Sequence, residues 1–379
     1  MIGGKNAGIT GAQRIANIVP FDAETNFVDL HLDFPVSFAP YEMGMTPFMR
    51  AMERVGRKEM ALHVARLNHL NKEMAKARQF ATLLKLFANG KILPFKLNIK
   101  KTFGIQVRSD LPQDLNAAIY SLIAWMMMPY EVPHLSHHSV DQFQSVLSRL
   151  AKDHKPALDR FVTQLVDSGF LKNLQHDVLE IYPRMLAAEL AMRPALFLDL
   201  DTSYAEAPVP MRVSAQQFED YKDLYKDIAE IVSREFVLVA GLNNLLHRGN
   251  ANSFAPRFAK NGRDLKPADL DNYADVPFGQ KQDDLDNPWF QLLDGSTGNR
   301  LRNAIAHYKA EYDDVMQRVT YYGSKEGMAQ EKAEEISFLE FMRRLLTSYR
   351  EMHRLHHLIK TLFYYYYLVL KKGDAVKEA

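Results

Sequence analysis

Between Pro47 and Asn89 apolar residues return every three to five positions, at Met52, Val55, Met60, Val64, Leu67, Leu70 and Met74. That spacing predicts a helix, which Gly90 and Pro94 end. The next stretch, Lys91 to Arg108, sets Lys91, Lys96, Lys100, Lys101 and Arg108 among apolar residues and predicts a strand. Helical spacing resumes over Leu115 to Met128, Val140 to Val166 and Leu174 to Leu196, the last interrupted at Pro183. Asp199 to Pro210 (DLDTSYAEAPVP) collects acidic, small and proline residues without an apolar period, so a domain boundary is placed there, dividing 1–205 from 206–379.

Ser214 and Gln217 read as a capping box for a long helix reaching about His247. Its stripe is Phe218, Tyr221, Tyr225, Ile228, Val232, Phe236, Val239, Leu242 and Leu246. Residues 248–287 have no period and predict a long loop insertion. After Pro288, GNRLRNAIAHYKAEYDDVM reads as a helix, and VTYY, GSKEGM and AEEISF as two short strands around a turn. A closing helix from about Ser337 to Leu370 carries Phe338, Phe341, Met342, Leu345, Tyr349, Met352, Ile359, Leu362 and Tyr366 on one face. The fold expected is mainly all-α: a helical N-terminal domain, then a helical bundle with a short inserted β-hairpin.

Composition narrows the chemistry. The chain has no Cys, which removes disulfides, thiolate metal sites and cysteine nucleophiles and suits a cytoplasmic setting. No apolar run reaches membrane length; TLFYYYYLVL comes nearest. A net charge of +1 means that any contact with RNA is local. Phosphate-binding glycine loops and serine-hydrolase elbows are absent, and neither a metal nor a cofactor is expected.

One segment carries a candidate reaction: Arg302, Asn303, Ala304, Ile305, Ala306, His307. RNA cleavage without a metal needs a base for the ribose 2'-OH, an acid for the leaving 5'-oxygen and positive charge on the phosphorane-like transition state. Histidine titrates near neutrality and suits either proton transfer, whereas arginine stays charged and grips two phosphate oxygens. Asn303 would orient the imidazole or bind phosphate. On one helix, five residues place Arg302 and His307 about 140° apart, so two such helices facing across a two-fold axis build the better site.

The segment resembles the R-x4-6-H motif of the HEPN superfamily, whose arginine is typically followed by Asn, Asp or His. The resemblance covers roughly Ser214 to Leu370, including the long helix before the motif, the turn at Tyr312, Asp313 and Asp314, and the closing helix. It implies a metal-independent endoribonuclease leaving 2',3'-cyclic phosphate and 5'-hydroxyl ends, with catalytic residues Arg302, Asn303 and His307 in a composite site between two copies. It further implies a toxin, abortive-infection or antiphage-defence setting, a sensing or restraining role for the N-terminal half, and a regulatory protein or antitoxin as partner. Arg300 and Lys309 are secondary candidates for binding RNA. A non-catalytic HEPN-like module that binds a nucleotide or a protein is the rival expectation.

Other groupings have blander readings. His353 and His357 have the spacing of metal ligands but no evident carboxylate beside them, so they and His356 are expected on an exposed polar face. Arg350 to His356 also fits the loose motif, yet Glu351 follows the arginine. His134, His137 and His138 are placed in a loop. Asp199 and Asp201 are assigned to a linker, and Asp283, Asp284 and Asp286 to a solvated turn. Tyr364 to Tyr367 point in four directions on a helix and are expected to pack rather than stack on bases.

Overall fold

In the computed structural model the described residues are 31–36, 45–201, 211–214, 218–259, 261–262, 264–293, 296, 298–323 and 332–371, with the side chains at 133–137 and 299 outside that set. Helix α1 (Pro47–Glu73) opens with Pro47 in its first turn and the Thr46 hydroxyl accepting from the Met49 amide at 3.3 Å. Gly56, at φ +83°, kinks it. A 3-10 turn over Met74–Lys76 then leads into α2 (Ala77–Ala88), so the single predicted helix is two.

The expected strand over Lys91 to Arg108 is instead α3 (Ile92–Phe103). Alternation misleads here because Leu93, Phe95, Leu97 and Ile99 fit a period of two and of four equally. The chain resolves this by burying Phe95 and Ile99 while leaving Leu93 and Leu97 exposed. Pro94 is tolerated in the first turn, and Gly104 ends the helix in the left-handed region at φ +70°.

Next come α4 (Pro112–Met127), α5 (Pro133–Asp153), α6 (Lys155–Asp167), α7 (Phe170–Ala187) and α8 (Glu189–Phe197). Pro156 starts a new helix just after His154 and splits the predicted Val140 to Val166 element. Pro183 sits inside α7; the break comes at Ala188. The His134 to His138 segment belongs to α5 and not to a loop, and the side chains of His134 and His137 lie outside the described residues. Beyond α9 (Phe218–Arg248), whose proposed cap residue Gln217 is outside the described set, the segment predicted as loop contains α10 (Leu270–Ala274) and α11 (Phe278–Lys281). Arg248 ties it down, its Nη1 and Nη2 donating to both Asp286 oxygens at 2.7 and 2.9 Å. Of the acidic run expected in a solvated turn, Asp283 is exposed and Asp286 partly so, but Asp284 is buried against Arg257.

The candidate motif lies on α12 (Asn299–Ala306), which is shorter than the predicted helix. Residues expected to continue it form β1 (Ala310–Asp313), paired antiparallel with β2 (Arg318–Tyr322), which pairs in turn with β3 (Ala333–Ser337). The register sets Tyr312 opposite Val319 and Val319 opposite Ile336, with Val319 and Tyr321 facing the core. The predicted hairpin strands are present; the third strand is the addition. Ser337 caps α13 (Phe338–Tyr365), its hydroxyl accepting from the Glu340 amide at 3.0 Å, and a π-helical turn extends the helix to Leu370.

Helix α13 is the axis of the molecule, packing on α9 and on α4 to α8, and one continuous core runs from Leu67 to Tyr366. Gly241 in mid α9 receives the Phe161 ring of α6 so closely that a Cβ there would lie 2.3 Å from its tip. At the end of α13 the Tyr365 hydroxyl donates to Asp159 at 2.7 Å and that of Tyr366 to Asp167 at 3.3 Å, fastening the tyrosine run to α6.

Asp199 is no linker residue. Its carboxylate accepts from Arg350 Nη1 and Nη2 at 2.9 and 2.7 Å, from Arg66 at 3.0 Å and from Arg343 at 2.5 Å. Burial opposes its ionisation, but hydrogen bonds and charge from Arg350, then Arg343, hold it far below the usual carboxylate range. Asp201 is buried outright, against Arg54.

Two outcomes follow from these buried groups. Asp199→Ala leaves three arginines facing each other without a counter-charge and should lower stability by about 3–5 kcal/mol in urea unfolding. His63, packed between Phe34 and Phe197, is pushed down to about 4, first by burial and then by Arg66, against Asp33 and Asp199. Above pH 6.5 it is neutral whether folded or not; as pH falls from 6.5 toward 4 only the unfolded chain takes up its proton, so stability drops. His63→Phe should therefore flatten the fall in melting temperature over that window, recovering up to about 3 kcal/mol at its acid end.

Candidate functional site

Helix α12 stops because the chain turns out of it through a Schellman motif. The Tyr308 amide donates to the Ile305 carbonyl at 3.3 Å and the Lys309 amide to the Ala304 carbonyl at 2.7 Å. Tyr308 occupies the left-handed position, at φ +58°, that normally belongs to glycine. His307 is consequently the C-cap, its amide still donating to the Asn303 carbonyl at 3.0 Å. The imidazole is exposed and has no hydrogen-bond partner among the described residues. Tyr308 beside it is 92% exposed.

Arg302 and Asn303 meet directly, Arg302 Nη2 donating to Asn303 Oδ1 at 3.1 Å. The Arg302 side chain is only 14% exposed; Nη1 stands 3.4 Å from Glu230 on α9, and the guanidinium lies 5.7 Å from the centroid of the Phe278 ring on α11. Beneath it Lys281 is buried, its ammonium donating to the Ser233 and Ala274 carbonyls at 2.8 and 3.0 Å. Burial brings Lys281 down to about 8, with Arg302 adding to the effect and Glu230 and Asp275 opposing it. Lys226 of α9, paired with Asp223, is within electrostatic range of the Tyr308 phenol.

Arg300 leaves α12 on another side. Its Nη1 donates to Glu334 on β3, and its stem packs over Gly323. Lys309 is half-buried, its carbonyl accepting from the Tyr322 amide at 3.1 Å. The motif thus comes together as Arg302 with Asn303, next to an unpartnered His307, while Arg300 is directed at the sheet. Glu230, Phe278, Lys281 and Lys226 border the site from α9 and the 248–287 segment. No local pattern near the motif announces them, because tertiary packing brings them in.

The histidines of α13 are not on an exposed face. His353 and His356 are buried, and the Tyr182 hydroxyl sits between them, 2.8 Å from His353 Nδ1 and 2.7 Å from His356 Nδ1. A carboxylate is present after all: Glu131, which follows α4, approaches His353 Nε2 at 3.0 Å. Burial, with His353 adding to it, pushes His357 down to about 3. Glu131, His353 and His357 each offer a ligand atom, all within 4.8 Å of one another, so these residues could hold a metal ion. Arg350 is committed to Asp199 and to the Tyr130 carbonyl, at 2.8 Å, which removes the alternative motif ending at His356.

A tyrosine held at positive φ stores backbone strain, here at the residue after the candidate histidine. Tyr308→Gly should stabilise the fold by about 1 kcal/mol in denaturant unfolding, since an exposed ring gives up little packing. No protein-family model, curated protein or solved structure matches this chain.

Proposed function

We propose that the chain is a metal-independent endoribonuclease of the HEPN type, acting on RNA at a site built from Arg302, Asn303 and His307. The observation that carries this reading is the exposed, unpartnered His307 imidazole, held at a strained helix end beside the Arg302 and Asn303 pair. An imidazole open to solvent can exchange protons with a substrate, whereas a satisfied core histidine cannot.

The proposed site forms between two copies of the chain related by a two-fold axis. His307 of one copy removes the 2'-OH proton; the 2'-oxygen bonds to phosphorus and the bond to the 5'-oxygen breaks. The second copy's His307 gives its proton to that oxygen, leaving a 2',3'-cyclic phosphate and a 5'-hydroxyl. Arg302 neutralises the transition-state charge, and Asn303 aligns it. RNA must first displace Glu230, which stands 3.4 Å from Arg302 and whose carboxylate is 60% exposed and so free to swing into water. Tyr308 offers a face on which a flanking base can stack. The setting in which RNA cleavage halts growth, and regulation by a partner protein, rest on the resemblance alone.

The Glu230 and Phe278 contacts of Arg302 favour a second reading, a non-catalytic module in which the arginine only braces α12. Cleavage of total RNA in EDTA by purified wild type, with His307→Ala and Arg302→Ala slowed about 10²- to 10⁴-fold, is the outcome expected of the enzyme. His307→Ala should keep the wild-type melting temperature, because the ring is solvated. Inert wild type would favour the module, and full activity in a species that light scattering shows to be monomeric would remove the composite site.

A further inference from the structure

Away from α12, the facing side of α13 and the segment after α4 enclose a group whose hydrogen bonding does not close. Both ring nitrogens of His357 are shut off from solvent, and neither has a hydrogen-bond partner. Buried polar atoms are almost always satisfied, and each exception requires a cause. Side chains one helical turn apart project the same way, so His357 stands beside His353, their ring centroids 4.9 Å apart and the rings edge to face. Glu131 closes the third side, its Oε1 3.0 Å from His353 Nε2.

We propose that Glu131, His353 and His357 form a binding site for one divalent transition-metal ion of the zinc class. Two imidazole nitrogens and one carboxylate oxygen are ligands that zinc takes at about 2.0–2.2 Å; in a tetrahedron they stand about 3.3–3.5 Å apart. The three ligand atoms lie within 4.8 Å of one another; to meet on one ion the His353 and Glu131 pair, at 3.0 Å, opens by a few tenths of an ångström and the widest pair closes by up to about 1.5 Å. The ion gives one nitrogen of the His357 ring a partner. Three protein ligands leave a fourth position for water.

For His353 the surroundings supply what a ligating histidine requires, a partner on its other nitrogen. Without an ion, His353 donates Nε2–H to Glu131, accepts at Nδ1 from the Tyr182 hydroxyl, and Tyr182 accepts from His356 Nδ1–H; that leaves His356 Nε2 unsatisfied, as observed. With an ion on His353 Nε2, the row reverses. His353 Nδ1–H donates to Tyr182, Tyr182 donates to His356 Nδ1, and the proton total of the three groups is unchanged. Lys360, whose ammonium lies over the Tyr120 ring, is the neighbouring charge that works against a cation here. The Glu131 carboxylate offsets it. Tyr182 is a positioning residue. The site is independent of the ribonuclease reading and stands or falls apart from it.

The test is titration of the full chain, stripped by chelation, with ZnCl₂ in a calorimeter, and with Co²⁺ followed by visible absorption. Wild type should bind one equivalent, show a tetrahedral cobalt spectrum and melt at higher temperature with the ion. Glu131→Gln and His357→Ala should lose that equivalent, Tyr182→Phe should weaken it about 10- to 100-fold, and the surface control His176→Ala should leave it intact. Circular dichroism identifies a variant that fails to fold; if His357→Ala does so, the near-isosteric Glu131→Gln decides. Absence of a saturable equivalent in wild type, or the same affinity in wild type and Glu131→Gln, overturns the proposal.

Discussion

One carboxylate organises the middle of this protein. Asp199, just after α8, has its side chain only 11% exposed, and a bare charge so covered would cost more than a domain can spare. It is tolerable only because Arg66 arrives from α1 and Arg343 and Arg350 from α13, all reaching the same two oxygens. Arg350 also reaches back to the Tyr130 carbonyl after α4. Apolar packing is indifferent to small slides between helices, but a bidentate guanidinium is not, so this hub fixes where α1, α8 and α13 stand along one another.

That arrangement explains how far the sequence could be read. The existence of α9 and α13 was legible because their apolar residues keep a three-and-four spacing, but the single buried stripe expected of each was not found: Glu235 to Leu245 and Ser348 to His356 are buried on every face, polar positions included. Joints were less legible. Leu93 to Ile99 satisfy two periods at once, and only the tertiary environment decides between them. Ala310 to Asp313 follow a helix without an interrupting Gly or Pro, since Tyr308 takes the left-handed turn that a glycine would have advertised. Asp199 was misread for a related reason: its partners lie more than a hundred residues away, and acidic residues beside small ones and proline look locally like a solvated linker.

The two histidine sites differ in the same respect. Arg302, Asn303 and His307 are neighbours in sequence, so their grouping is visible before any fold is known, whereas Glu230 and Phe278, which modulate the arginine, are not. Glu131 and His353 are separated by 222 residues, and the carboxylate missing from the sequence reading is supplied by the fold. Exposure divides them as well: Asn303 and His307 are exposed beside a mostly covered Arg302, while His353 and His356 sit in the core.

Gly241 adds a further constraint on the axis of the molecule. The Phe161 ring occupies the one notch on that part of α9 where no side chain projects. A slide of α9 by one turn, about 5.4 Å, would set Val237 or Leu245 against the ring, both already buried elsewhere. The pair therefore works as a registration pin: α6 can tilt about the ring, but it cannot step along its neighbour. Because the aspartates holding Tyr365 and Tyr366 ride on α6, that pin also sets how far the tail of the last helix can travel.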